Sequence, residues 1–477
     1  MYPWINKISL VVLIVVCACH FGPKFERPEL FSNAEISRLL DLKTSKEIKL
    51  PFQIQDFQDS ELNKLIEEAM DRAPDIRTAI ARVEAGRAAR MAAVAGLFPT
   101  LDATGSYEKQ KFHENTLLMP NEKLYQAGLS IAWDVDIFGK KSREIEAASA
   151  QEAQLKAELE NVMISVVTEV GSAYVGLRTA QYLLQKTRDD LKIQKALAGL
   201  TQDKYKSGLS NAIDVNQAEY QLATTQAVIP KLEMEIETYQ NTLAVLTGRP
   251  AGSLQKRLKP NKRNLITMPF RFPIKKLSTL PADVVRYRPD VFGMEEALKA
   301  QNARVGQAIS SLFPTISLAA LFGFESVHLN RLTNNSAQKR SYQASVNAPL
   351  FHFGVLWQNV KIEEANMKAE VASYEKTLLN ATKEIRDILV GLKKMESRHK
   401  NLEMAWHKMD AAAKLARHRY ESGLIDYFQV LDAEERRIAA QSEVITSAGA
   451  LYQNILNFYK AIGGQFTFDR IQAAQSQ

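Results

Sequence analysis

Cysteine and histidine often bind metals or act in catalysis, and this chain of 477 residues has two cysteines and seven histidines. Both cysteines lie near the N-terminus, beside an apolar run. The sequence contains no glycine-rich phosphate loop and no nucleophile elbow. We therefore expect no enzyme activity, no metal and no diffusible cofactor. The histidines are scattered and form no metal-ligand motif: His20, His113, His328, His352, His399, His407 and His418.

The N-terminal segment has the pattern of a secretory signal peptide. Residues 8–16 (ISLVVLIVV) form an apolar run that is too short to cross a bilayer as a helix. Cys17 and Cys19 can be small hydrophobes of the leader, but small Ala18 before Cys19 is typical of a lipoprotein cleavage site. We predict a signal peptide over residues 1–18 and a covalent lipid on Cys19.

An internal repeat covers most of the chain. The segment APDI at 73–76 corresponds to RPDV at 288–291, and the difference in residue number is constant along the segment (290 − 75 = 215). The same offset relates several other pairs of segments, which makes chance agreement an inadequate explanation. We predict two similar halves within one architecture. The further pairs are LFPT at 97–100 and 312–315, Phe138-Gly139 and Phe353-Gly354, YKSGL at 205–209 and YESGL at 420–424, and Gly248 and Gly463.

Each half contains two segments in which apolar and polar residues alternate. The alternation covers residues 101–107 and 125–137 in the first half, and 316–324 and 342–350 in the second. Such a period of two predicts β-strands, so each half holds one hairpin, at about 100–138 and 315–353. A small sheet packed on helices is one interpretation, and membrane strands with aromatic girdles are another. If the four strands span a membrane, the chain must oligomerise, because four strands cannot close a barrel.

A very long helix is predicted after each hairpin. Apolar residues recur every seven positions at Met163, Val170, Leu177, Leu184, Leu191 and Ala198, a pattern typical of coiled-coil packing. The ladder recurs at the repeat offset in the second half and is broken only by His399. Gly208 and Gly423 end these helices, and return helices follow over 211–246 and 427–461.

The remaining segments give the domain organisation. Net charge is +7 without a dense basic block, which gives no support for nucleic-acid binding. After the signal peptide, we predict an extended N-terminal segment over 19–55, a first repeat over 56–248 and a linker over 249–276. A second repeat over 277–463 and a C-terminal tail over 464–477 follow.

Three motifs together resemble the lipoprotein branch of the TolC-like outer-membrane efflux proteins, typified by OprM and NodT. Residues 19–28 (CHFGPKFERP) are similar to the Cys-x-x-Gly-Pro-x-Tyr-x-x-Pro start of that branch, with Phe25 in the Tyr place. Residues 280–291 (LPADVVRYRPDV) are similar to its Leu-Pro-x-x-Leu-x-x-Arg-Arg-Pro-Asp-Ile signature. Residues 419–437 (RYESGLIDYFQVLDAEERR) are similar to a third motif of the family.

The resemblance implies an α+β, TolC-like fold in which long antiparallel coiled-coil helices form an α-barrel. Two β-hairpins per chain would contribute four strands to a trimeric, 12-stranded transmembrane β-barrel. It further implies an efflux exit duct in the outer membrane of a Gram-negative bacterium, lipid-anchored and reaching into the periplasm. The implied partners are a periplasmic adaptor and an inner-membrane pump, typically of the resistance-nodulation-division type.

The resemblance also implies a gate at the helix tips. Tyr420 and Arg419 correspond to the residues that link neighbouring helices, and Asp432 to an acidic ring that narrows the pore. Phe428 stands at an apolar constriction, and Asp214 is a candidate partner for Tyr420. We further expect the tips at Gly208-Leu209 and Gly423-Leu424 to dock the adaptor, because a small exposed turn at the end of a coiled coil can pack tip to tip.

Two other functions remain open from the sequence. A channel for type I protein secretion would have the same architecture, and the exported substrate leaves no signal in the sequence. A periplasmic coiled-coil scaffold lipoprotein without a pore would account for the helices and the lipid. A scaffold has no use for the four alternating strands, which favours a channel.

Overall fold

The computed structural model describes residues 21–28, 30, 33–40, 59–109, 123–260 and 282–475. Within those ranges it contains nine α-helices and four β-strands. None of the described helices carries an apolar stretch of the length and hydropathy needed to cross a bilayer. In chain order the elements are α1 Asn33–Leu40, α2 Ser60–Arg72, α3 Pro74–Ala95, β1 Thr100–Lys109, β2 Lys123–Val135, α4 Lys140–Lys206, α5 Ala212–Leu246, α6 Pro289–Ser310, β3 Thr315–Ser326, β4 Gln338–Asn347, α7 Val355–Glu421, α8 Tyr427–Ala461 and α9 Gly464–Gln475.

The internal repeat is confirmed by the element boundaries. Helices α3, α4 and α5 recur as α6, α7 and α8, and the starts of α4 and α7 differ by the predicted offset (355 − 140 = 215). Both long helices, α4 and α7, contain 67 residues, and both return helices, α5 and α8, contain 35. The signal peptide, Cys17 and Cys19, the β1–β2 connection and much of the predicted linker lie outside the described residues.

The chain divides into two compact units, each built from both repeats. The described part of the first unit comprises residues 21–28, 82–109, 123–156 and 293–375. The second comprises residues 30, 33–40, 59–81, 157–260, 282–292 and 376–475.

The first unit contains a single antiparallel sheet in the order β1-β2-β3-β4. Strand β2 ends at Val135, two residues earlier than predicted, because the Asp136 carboxylate accepts the backbone N–H groups of Lys141 and Ser142 at the start of α4. Strand β4 ends at Asn347, three residues earlier than predicted, because Pro349 has no N–H to donate to the sheet. The hairpins themselves lie where the alternation predicts them.

The residues that follow the predicted lipidation site pack against the helix–strand junctions of the first unit. The Phe21 ring lies 4.4 Å from that of Phe313, which in turn stacks on Phe138 at 5.2 Å. The buried Arg143 guanidinium donates to the carbonyl oxygens of Phe21 and Gly22 at 3.1 and 3.2 Å. Phe21 is therefore fixed at the end of the sheet from which the helices extend.

The second unit is held together by packing between long helices. In the predicted ladder Val170, Leu177 and Leu184 are buried, as are Leu378, Ile385 and Leu392 in its repeat. His399, which interrupts the apolar ladder, is also buried, and its Nδ1 lies 2.7 Å from Ser447 Oγ. The position therefore belongs to the core, and a hydrogen bond satisfies its polar side chain.

A helix break lies immediately before Pro74. Helix α2 begins after Asp59, whose carboxylate accepts the N–H groups of Glu61 and Leu62, and it ends at Arg72 before α3 starts at Pro74. Helix α1 lies within the segment predicted to be extended, and α9 lies within the predicted tail. Gly463, with positive φ, separates α8 from α9, and Gly464, the first residue of α9, also has positive φ.

Candidate functional site

The two helix–turn–helix tips have the same backbone geometry. Gly208 and Gly423 each have a φ of +74° and follow the last turn of a long helix. The N–H of Leu209 donates to the carbonyl of Lys204 at 2.8 Å, and the N–H of Leu424 makes the equivalent bond to Arg419 at 2.8 Å. These bonds are those of a glycine-terminated helix, and they leave both leucine side chains exposed.

Tyr420 lies at the centre of a contact between the two repeats. Its side chain is buried between α4 and the tip of the second hairpin, and its hydroxyl lies 3.0 Å from Thr201 Oγ1. The Lys204 ammonium lies 4.0 Å from the centre of the Tyr420 ring and donates to the Tyr420 carbonyl oxygen. Tyr427 meets the same ring edge to face at 5.6 Å. Lys204 thus binds both the π face of Tyr420 and a carbonyl at the end of α7 that also accepts the N–H of Gly423 at 3.0 Å.

Asp214 does not form the hydrogen bond with Tyr420 that the resemblance suggested. Its backbone N–H is capped by Asn211 Oδ1 at 2.9 Å, and its carboxylate accepts from Ser210 Oγ at 2.7 Å. These two contacts hold Asp214 against its own turn, and Thr201 takes the hydroxyl of Tyr420 instead. The Asp214 charge still acts on Tyr420 through space.

The two buried tyrosines of the tip resist ionisation. Burial raises the pKa of Tyr420, although the hydrogen bond with Thr201 opposes this shift, and the negative charge of Asp214 adds to it. Burial, together with the neighbouring Tyr420 phenol and the negative charge of Asp214, raises the pKa of Tyr427 to about 12. Both phenols therefore remain neutral hydrogen-bonding groups at physiological pH.

The other predicted gate residues lie on the surface of the single chain. Phe428 and Arg419 are exposed, and the Asp432 side chain is about half exposed. Asp432 Oδ1 accepts from Arg436 Nε at 2.9 Å, one helical turn further along α8. Phe428 and Asp432 are four residues apart on α8 and share one face.

A buried ion-pair cluster lies on the same hairpin and was not predicted from the sequence. It comprises Asp190, Arg417, Glu434 and Arg437. Arg437 donates to Asp190 at 2.6 Å and to Glu434 at 2.9 Å, and Arg417 lies 2.8 Å from Glu434. Gln441 accepts a further bond from Arg437 at 3.1 Å. The cluster joins α4 of the first repeat to α7 and α8 of the second, and its formal charges cancel.

Two signals in the sequence could have revealed these contacts. Lys204 and Arg419 are related by the repeat offset (419 − 204 = 215), which marks Lys204 as the equivalent basic residue of the first tip. Glu434 and Arg437 are three residues apart, and Gln441 follows four residues later, which places all three on one helix face. The periodicity does not indicate that this face is buried.

The fold and the tips define a class of protein. The chain belongs to the outer membrane efflux protein family, whose model matches residues 65–249 and 280–464. The starts of the two matched segments differ by the offset of the repeat (280 − 65 = 215). The chain is therefore an efflux channel protein of the outer membrane.

Several known proteins are similar over most of their length. The probable efflux pump outer membrane protein TtgC of Pseudomonas putida is 29% identical over 425 residues, which are 88% of this chain and 86% of TtgC. Outer membrane protein OprJ of Pseudomonas aeruginosa is 25% identical over 480 residues, covering 97% of this chain and 96% of OprJ. The structure of the outer-membrane channel OprN superposes with a TM-score of 0.84 at 28% identity, covering 94% of this chain and 100% of OprN.

Proposed function

We propose that three copies of this chain form the outer-membrane exit duct of a tripartite efflux system. The helices of the three copies would enclose a periplasmic tunnel, and their strands would line the passage through the membrane. A periplasmic adaptor and an inner-membrane pump of the resistance-nodulation-division type would deliver the substrate. The observation that carries this proposal is the unequal burial of equivalent helix faces in the two repeats.

Within one chain, α4 of the first repeat packs against α8 of the second. Gln453 Nε2 donates to the Ser172 carbonyl at 3.2 Å, and Gly449 lies against the Thr179 side chain so closely that a Cβ would clash with it. Residues 172, 175 and 179 are spaced by three and four, so Val175 shares the face that meets α8. Val175 is 0% exposed.

On α7, the repeat-related helix, the equivalent position is open to solvent in the single chain. Val390, the equivalent of Val175, is 54% exposed. At the tips, Tyr205 is 44% exposed, whereas its equivalent Tyr420 is 3% exposed. A second copy whose α5 packs on this α7 would bury these residues as α8 buries α4. In the proposed trimer, this head-to-tail contact between neighbouring copies closes into a ring.

The sheet also supports a ring of copies. Its edge strands β1 and β4 are exposed, and an unpaired sheet edge is excluded from the hydrocarbon region of a bilayer. Pairing β4 of one copy with β1 of the next satisfies both edges. Three copies supply twelve strands, which lies within the range of closed membrane sheets.

Asp432 is the residue through which we propose that the closed end controls ion flow. In a three-fold ring it becomes three carboxylates near the axis. They lie one helical turn further from the tip than the apolar Phe428. Arg436 lies beside each carboxylate and offsets part of its charge. A narrow acidic ring attracts cations and repels anions.

Planar-bilayer recordings test this role. Asp432→Ala is expected to raise the conductance of the closed channel and to weaken block by multivalent cations. Asp189→Ala on α4 is the matched control, because Asp189 is a half-exposed acid paired with Lys192 at 3.1 Å in the same way. If Asp432→Ala leaves both quantities at the level of the control, Asp432 does not line the pore.

The exposed tips are the surface that we propose for the adaptor. Leu209 and Leu424 are exposed at equivalent positions, so a three-fold ring presents six similar turns. Leu209→Asp with Leu424→Asp is expected to abolish efflux in cells while the yield of oligomer stays unchanged. Normal efflux by this double variant would exclude the tips as the docking surface.

A lipid on Cys19 would anchor the channel near the membrane. Cys19 lies outside the described residues, but Phe21, two positions later, is packed at the helix-side end of the sheet. That position suits a lipid in the inner leaflet of the outer membrane. Cys19→Ser is expected to lose incorporation of radiolabelled fatty acid, and labelling of the variant would assign the lipid elsewhere.

A further inference from the structure

The two faces of the sheet differ in charge as well as in hydropathy. Residues paired across neighbouring strands share a face, so the register assigns every odd-numbered residue of β1 and β2 to one face. That face is mainly apolar and continues onto β3 and β4 through pairs such as Ile131 with Ala320 and Ala320 with Tyr342, and Arg340, paired with Phe322, also lies on it. The acidic residues of the strands all lie on the opposite face: Asp102, Glu108, Asp134 and Glu325.

The apolar face ends in two lysines. Lys109 is the last residue of β1, Lys123 is the first of β2, and the two are directly paired in the register. Both side chains are exposed. Like charges placed directly opposite each other destabilise a hairpin, so this pair costs free energy unless an anion lies between them.

Within the described part of the chain, no acidic group offsets the two charges by forming an ion pair with either lysine. Lys339 provides the contrast, because it lies on the opposite face and pairs with Glu325. Lys339 on the polar face is therefore neutralised. Lys109 and Lys123 on the apolar face have no counterion among the described residues.

Aromatic rings lie immediately before the lysines on the same face. Tyr107 and Tyr125 are paired in the register, and their ring centroids are 4.9 Å apart. Aromatic rings of this kind lie at the boundary between the hydrocarbon and the headgroups. The next pair along the face therefore reaches the layer of lipid headgroups.

We propose that Lys109 and Lys123 bind the phosphate groups of lipid A, the anionic lipid of the outer leaflet. The hairpin end of the sheet is the end away from α3 and α4. In the orientation of the proposed function, on which this assignment rests, the helices lie in the periplasm and that end lies in the outer leaflet. Two ammonium groups side by side suit a phosphate on an acylated sugar headgroup, because the acyl chains of that headgroup can pack on the apolar face of the sheet.

Titration of the detergent-solubilised full chain with diphosphoryl lipid A, followed by native mass spectrometry, tests the proposal. Lys109→Gln with Lys123→Gln is expected to weaken binding roughly 30-fold, since each lysine near an anionic headgroup strengthens binding several-fold. Lys109→Arg with Lys123→Arg is expected to retain binding. Lys339→Gln removes one charge from the other face and is the matched control for the single variants Lys109→Gln and Lys123→Gln, each of which is expected to weaken binding several-fold.

Several outcomes would overturn the assignment. Unchanged lipid A binding by the double glutamine variant would exclude the two lysines as the site. An equal loss in Lys339→Gln would indicate attraction by overall charge instead of a site. Equal binding of phosphatidylglycerol, or displacement of lipid A by inorganic phosphate, would identify a different anion as the ligand. The conductance of the double variant is expected to stay unchanged, so the result is independent of the channel function.

Discussion

The two hairpin tips share their backbone and differ in their surroundings. Tyr420 is enclosed by Thr201 and Lys204 of the other repeat, whereas its equivalent Tyr205 faces solvent. Further along the hairpins, Asp190 and Arg437 form a buried pair, and the equivalent positions hold Ala405 and Leu222. The repeat therefore gives both tips the same local geometry. The contacts around the two tips nevertheless differ between the repeats.

This difference suggests a division of roles between the two helix contacts. The α4–α8 contact is internal to one chain and contains a charge cluster that tolerates little displacement. The proposed contact between α7 and α5 of neighbouring copies is apolar at the equivalent positions. Apolar surfaces can shift relative to each other with little loss of free energy, whereas a buried ion pair requires fixed geometry. Movement at the closed end is therefore expected between copies and not within them.

The largest effect is expected from a charge placed in the contact between copies. Val390→Asp would bury three unpaired carboxylates in a trimer, each at a cost of several kcal/mol. The oligomer is expected to be lost in detergent while helix content is retained. Val390→Ala, which removes only methyl groups, should remain oligomeric. Light scattering measures the oligomeric state of both variants. A trimeric Val390→Asp variant would contradict the proposed ring.

A smaller but substantial effect is expected within the chain. Arg437→Leu, which copies the equivalent Leu222, leaves Asp190 buried without its partner and should cost about 3–5 kcal/mol. Adding Asp190→Ala, which copies Ala405, should recover part of that loss, because Glu434 keeps Arg417 as a partner. Unfolding midpoints in guanidinium measure these changes.

Arg436→Leu is the control for this pair of variants. Arg436 is exposed, and among the residues that the structure describes it bonds only the half-exposed Asp432, so its loss should cost less than about 1 kcal/mol. If the double variant is as unstable as Arg437→Leu alone, the Asp190–Arg437 pair does not stabilise the contact between α4 and α8.

The two basic residues of the tips provide a third comparison. Lys204→Met removes a charge-assisted hydrogen bond to the end of α7 and should destabilise that tip by about 1.5–3 kcal/mol. Arg419→Met, at the equivalent position, has no such partner within the described chain to lose. Hydrogen exchange at residues 418–424 should rise in the first variant and stay unchanged in the second when both are studied as monomers. Equal exchange in both would show that the repeat does not distinguish the two tips.

The smallest effect concerns alkaline pH. The pKa of Tyr427 is raised from 10.0 to about 12 in the folded chain, so the folded state retains a proton that the unfolded state releases. The contribution of Tyr427 to the free energy of unfolding should therefore be fully present below pH 10. It should fall by about 1.4 kcal/mol per pH unit between pH 10 and 12. Tyr427→Phe should make the decline shallower, and an identical slope in both proteins would exclude this group as its cause.

Much of the fold was predictable because its signals are local and occur twice. The seven-residue ladder predicted α4 and α7, the alternation predicted the hairpins, and Gly208 and Gly423 marked the helix ends. The family was recognisable from three short motifs. A signal that recurs at a constant offset is easier to separate from chance than one that occurs once.

The contacts between distant segments were not predictable. Asp190 and Arg437 are separated by 247 residues, and no periodic pattern relates them. Thr201 is the partner of Tyr420, and the Asp214 carboxylate is held at its own turn by Ser210, which is a matter of side-chain geometry. Helices α1 and α9 have 8 and 12 residues, too few for a clear period.

The equal lengths of the paired helices constrain how this protein can evolve. Inserting one residue into α4 or α7 rotates everything beyond it by about 100° and turns a buried face outward. An insertion of seven residues is close to two full turns and preserves the faces, provided that both repeats receive it at the same place. The helices can therefore lengthen in steps of about 10 Å. In bacteria with a wider periplasm, we expect the helices of such a channel to be longer by multiples of seven residues.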